Sequence, residues 1–98
     1  MYHLNEFEIF CLYHLGLIDA QAGTPLNLNQ LAARIGVSHE KLTTFLEEHR
    51  LDAAQVLSSG FDIVGAQMDI QMAPEGIHLE SVARQHFEQY QLLVSQEA

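Results

Sequence analysis

The sequence predicts a mainly α-helical fold with a small β-hairpin, and three observations carry that expectation. Leu28, Leu31, Ala32 and Ile35 recur at a 3.6-residue period, Gly36 interrupts them, and Leu42, Phe45 and Leu46 resume the apolar face on a second short helix. In Phe61-Asp62-Ile63-Val64, Gly65-Ala66-Gln67, Met68-Asp69-Ile70-Gln71-Met72, a Gly-containing loop separates two apolar stretches. Met68, Ile70 and Met72 alternate there with Asp69 and Gln71, as in a strand with one buried face. Leu79, Val82, Ala83, Phe87, Tyr90 and Val94 return to a helical period and predict a C-terminal helix over about residues 77–95. At 98 residues, the chain is expected to form one domain.

Taken in order, Leu4 to Ala20 predicts a first helix, capped by Asn5, with Glu6 and Glu8 at the positive end of its dipole. Its apolar run from Ile9 to Ile18 is wider than one packing face needs. Phe7, Phe10 or Cys11, His14, and Leu17 or Ile18 would meet the next two helices, leaving Ile9, Leu12 and Tyr13 for another partner. The C-terminal helix or a second copy of the chain would cover them, with Val82, Tyr90 and Val94 completing a homodimer interface. Gln21 to Pro25 is a turn, and Leu26-Asn27-Leu28 offers a short extended pairing before the second helix.

That helix and the next have marked ends. Asn27 caps the first, with Gln30 three residues on, and Ser38 caps the second. Ala32 is small enough for close helix approach, and Gly36 accepts the positive φ of a tight interhelical turn. Beyond them Asp52 can cap a short helix burying Ala53, Val56 and Leu57. Gly60 stops it, the hairpin follows over about residues 61–72, and Ala73-Pro74-Glu75-Gly76 turns the chain into the last helix.

With Leu31, Ala32, Ile35, Gly36, Val37, Leu42 and Phe45 so spaced, residues 27–50 resemble the DNA-binding helix-turn-helix superfamily. The element order, with a hairpin after that motif and a Pro-Glu-Gly turn into a long helix, is similar to the winged helix-turn-helix of small bacterial regulators of the MarR and PadR type. The resemblance implies a wing at 61–72, a recognition helix at 38–50, and a homodimer built by the terminal helices. It also implies base contacts from Ser38, His39, Lys41, Thr43 and Thr44, with Arg34 on a phosphate.

Charge opposes that use. Four basic residues stand against thirteen acidic ones, a net charge of −9 with histidines neutral. Arg34, Lys41 and Arg50 only balance Glu40, Glu47 and Glu48, and Phe61 to Gly76 holds Asp62, Asp69 and Glu75 without one Lys or Arg. Phosphate binding needs several cations that release counterions, so the expected partner is a protein with a basic surface, and DNA is the alternative.

Other classes find little footing. The six histidines, His3, His14, His39, His49, His78 and His86, show no zinc-ligand spacing, so no metal or other cofactor is expected. There is no phosphate-binding Gly-rich loop and no nucleophile elbow, so no catalysis is expected either. Cys11, between Phe10 and Leu12, reads as a small buried hydrophobe. No apolar run reaches the length of a membrane span, and no basic leader precedes the first apolar stretch, which gives a cytoplasmic expectation. The sequence therefore predicts a non-catalytic winged-helix regulatory module, homodimeric, working through protein contact.

Overall fold

Asn5 starts the first helix, accepting from the Glu8 amide at 2.9 Å in the computed structural model, which describes residues 4–96. Helix α1 (Glu6–Phe10) continues into one π-helical turn, Cys11–Leu15, and ends at Gly16 rather than running on to Ala20. The wide apolar run is used inside the chain: Ile9, Phe10, Cys11, Leu12, His14 and Leu15 are all buried. A helix apolar on most of its circumference has to be covered from several sides, and this one packs against the second, fifth and sixth helices.

The hairpin follows directly on the π-helical turn, at residues 17–22, and not at 61–72 where the sequence indicated it. Strands β1 (Leu17–Ile18) and β2 (Gln21–Ala22) pair antiparallel, Leu17 opposite Ala22, around a two-residue turn. Asp19 and Ala20 both hold positive φ there, 52° and 63°, as a type I′ turn requires. Leu26 belongs to no strand; its amide donates to the Leu12 carbonyl at 2.9 Å and ties the loop back to the end of α1.

Helices α2 (Leu28–Ile35) and α3 (His39–Glu48) begin and end as their caps dictate. Asn27 and Gln30 form a reciprocal capping box, Ser38 Oγ accepts from the Lys41 amide at 3.1 Å, and Gly36 takes φ +83° between the helices. Leu31, Ala32, Leu42 and Leu46 enter the core. Helix α4 (Ala53–Ser58) is capped by Asp52 and buries Val56, while Leu57 is left exposed.

Residues 63–71 are helical, which corrects the predicted wing. Asp62 caps helix α5 (Ile63–Gln71), its Oδ1 accepting from the Gly65 amide at 2.9 Å, and a Cβ at position 65 would collide with that carboxylate. Ala66 and Ile70, four apart, are the buried pair. The period-2 alternation of Met68, Ile70 and Met72 is therefore coincidental. Met68 and Met72 lie on the outer face, 50% and 72% exposed, and only Ile70 turns inward. After the Pro74 to Gly76 turn, α6 (Leu79–Gln96) buries Ala83, Phe87 and Tyr90. One core joins all layers, with the Phe10 ring against Phe61, Phe87 and Tyr90 at centroid distances of 5.7, 5.1 and 5.7 Å.

Candidate functional site

Two surfaces bring functional side chains together. On the first, the outward side of α3, His39, Glu40, Lys41, Thr44, Glu47 and Glu48 are exposed. The residues expected to read DNA are only partly free there. Ser38 Oγ is held by its cap, and Thr43 Oγ1 donates to the His39 carbonyl at 2.9 Å, four residues back on its own helix. His39, Lys41 and Thr44 present unencumbered side chains among three glutamates.

The arginines are committed elsewhere. Arg34, expected on a phosphate, reaches across to the hairpin turn and pairs with Asp19. Arg50 Nη1 donates to the Val94 carbonyl at 2.7 Å in the last turn of α6, where a cation is favoured. Arg84 Cζ lies 4.0 Å from the centre of the Phe7 ring, with Glu80 one turn before it. Among the described residues, Lys41 alone of the four basic side chains forms no ion pair, ring contact or side-chain hydrogen bond.

The second surface is the outer seam of the α5–α6 hairpin. The helices run antiparallel, so Asp69 faces His86, and His86 Nε2 donates to Asp69 Oδ2 at 2.8 Å. Toward the Pro74 turn the seam opens into a depression of about 380 Å³ lined by Met68, Met72, Ile77 and Val82. Toward the end of α6 a second depression, of about 510 Å³, is walled by Phe61, Ala66, Leu92 and Leu93. Asp69 borders both, and neither holds a Lys or Arg. Val64, Met68 and Met72 stand four residues apart and extend the apolar surface along α5, with Val64 61% exposed. Sequence reading as a strand concealed that i, i+4, i+8 stripe.

Three residues expected in a dimer interface are core residues. Ile9, Leu12 and Tyr90 are at most 3% exposed because the π-turn, α5 and α6 enclose them. Tyr13, Val82 and Val94 are half-buried and pack against the same core.

The titratable groups at the core are governed by burial. His14 is buried against Phe10 and Tyr13, and its Nε2–H donates to the Leu51 carbonyl at 2.6 Å. Burial pushes its pKa down, opposed in part by that carbonyl and by Asp52. The Cys11 thiol is pushed up to about 12, first by burial and then by Glu80, so it stays protonated and unreactive at neutral pH. Burial and Asp52 likewise raise the Tyr13 phenol. His49 faces Glu6 at 3.4 Å and His78 bonds Ser81. Among the described residues no three His, Cys, Asp or Glu side chains converge on one point; His3 lies outside them. Nor, among the described residues, is any helix long and apolar enough to cross a membrane.

No family model matches this chain, and no curated protein or solved structure matches it at a significant level.

Proposed function

We propose that the chain is a non-catalytic helix-turn-helix regulatory module that acts by binding a protein with a basic surface, with the α5–α6 hairpin standing where a winged-helix regulator would carry its wing. The observation that supports this reading is the disposition of its cations. Arg34, Arg50 and Arg84 are each turned to an intramolecular partner, which leaves Lys41 as the cation on a recognition helix that also exposes Glu40, Glu47 and Glu48. A duplex would meet one available positive charge and an overall charge of −9. A basic protein surface would meet complementary potential over most of the molecule.

The surplus apolar face of α1, on which the homodimer expectation rests, is covered within the chain.

Fluorescence anisotropy with random duplex DNA at low salt tests the reading. Millimolar or weaker association is expected. Micromolar association that falls steeply with added salt would overturn it in favour of a DNA-binding regulator using Ser38, His39, Lys41, Thr43 and Thr44.

A further inference from the structure

The two depressions of the α5–α6 seam are arranged end to end, with a carboxylate between them. Apolar side chains this exposed are ordinarily scattered singly over a protein surface. Here Met68, Met72 and Ile77 line one depression and Leu92 the other, between 48% and 72% exposed, on either side of the Asp69–His86 pair. The lining of the two depressions carries the carboxylates of Asp62 and Asp69 and no Lys or Arg. Residues 61–96 hold Asp62, Asp69, Glu75, Glu80 and Glu88 against the single base Arg84, which is turned onto Phe7.

We infer that this seam docks a basic amphipathic helix of a partner protein, with a Lys or Arg on Asp69 and apolar side chains before and after it seated in the two depressions. The order of the lining, apolar then anionic then apolar, is complementary to a helix whose apolar stripe carries one cation at its centre. Methionines suit the task because their unbranched, polarizable side chains repack around different apolar shapes. His86 holds the Asp69 carboxylate in place until the incoming cation shares it.

A second copy of this chain fits the seam less well. A two-fold contact sets the same patch against itself, so Asp69 and its acidic neighbours would face their own kind across an interface between two chains of charge −9.

The inference rests on the protein-binding reading above, and one titration series tests it on the full chain. A synthetic helical peptide of Leu and Lys, with Leu on one face, is titrated calorimetrically beside its twin carrying Glu for Lys. The Lys peptide is expected to bind at micromolar concentration and the Glu peptide not to bind. Asp69→Asn and the pair Met68→Ser/Met72→Ser should each weaken binding about tenfold. Glu47→Gln on α3 removes the same charge and should change affinity by less than about twofold. Circular dichroism of each variant confirms that it is folded.

Equal losses from Glu47→Gln and Asp69→Asn would overturn the site, since general acidity would then explain the binding. So would binding of the Glu peptide, or a wild-type dimer in sedimentation that Met68→Ser/Met72→Ser dissolves, which would give the seam to a second copy. Absence of peptide binding together with absence of DNA binding overturns this inference alone. Micromolar DNA binding overturns the reading beneath it, whatever the peptide does.

Discussion

The Tyr90 hydroxyl donates a hydrogen bond to the Arg50 carbonyl, and the Arg50 guanidinium donates back to the Val94 carbonyl one turn further along α6. This reciprocal pair fastens the end of the α2–α3 pair to the C-terminal helix at the residue where the chain, with φ +58° at Arg50, leaves α3. Two elements distant in sequence are thus fixed to each other by these two hydrogen bonds.

Tyr90→Phe keeps the ring against Phe10 and Phe61 but removes the donor from the Arg50 carbonyl. A lost hydrogen bond of this kind costs about 1 kcal/mol, and a domain of this size should melt roughly 4–8 °C lower. Thermal unfolding by circular dichroism reads it. Because Tyr90 and Arg50 share the fastening, the double variant Tyr90→Phe/Arg50→Ala should lose less than the two single losses added, and strict additivity would show that the two bonds do not cooperate.

Ala20→Gly is expected to stabilise the protein. Ala20 holds φ +63° in the hairpin turn, which costs a residue with a Cβ about 1–2 kcal/mol, while the extra freedom that glycine brings to the unfolded chain costs about 0.4–1 kcal/mol. The midpoints of these ranges favour glycine by about 0.8 kcal/mol, and Asp19-Gly is a preferred type I′ pair. A urea midpoint at or below that of the wild type would contradict this assignment of the turn.

That turn also explains one limit of reading this sequence. Asp19-Ala20 carries no Gly or Asn to announce a hairpin, so the apolar run from Ile9 to Ile18 passes for a longer helix. At α5 the misleading signal was positive: Met68 to Met72 alternates perfectly, and the helical pattern is visible only from the Asp62 cap and the Ala66/Ile70 spacing. Where caps and period agree, as at Asn27, Gly36 and Ser38, the helix starts and the turn were legible, although α3 ends at Glu48 rather than at residue 50. The charge imbalance was legible too. The commitment of each arginine to a partner distant in sequence was not, because Asp19, Val94 and Phe7 reach their arginines only through the tertiary fold.

His14 should make stability fall in mild acid. Its folded pKa is depressed by burial, so below about pH 6.5, where a histidine in the unfolded chain takes up a proton, the native state does not. The stability this group confers is fully present above that pH. It is lost as pH falls toward the folded value, at no more than about 1.4 kcal/mol per pH unit. His14→Gln keeps an N–H donor near the Leu51 carbonyl and cannot titrate. The difference between wild-type and variant unfolding free energies should be flat near neutrality and shrink below about pH 6.5. A difference independent of pH would show that the buried ring is not the proton-linked group.

Gly36→Val should be the most damaging change in the α2–α3 pair. Gly36 ends α2 at φ +83° and ψ +32°, its amide donating to the Ala32 carbonyl at 2.8 Å while the Val37 amide reaches the same oxygen at 3.2 Å. A β-branched side chain at that φ is strained by about 1–2 kcal/mol or more. The chain can relieve the strain only by opening the turn that sets α3 against α2. Asparagine tolerates the left-handed region, so Gly36→Asn should lose far less. Both variants expose the side chain to solvent, since Gly36 is itself exposed, and differ chiefly in tolerance of positive φ. Urea unfolding that ranks wild type above Asn, and Asn well above Val, is the expected result. Equal midpoints for the two variants would show that backbone conformation does not limit this turn.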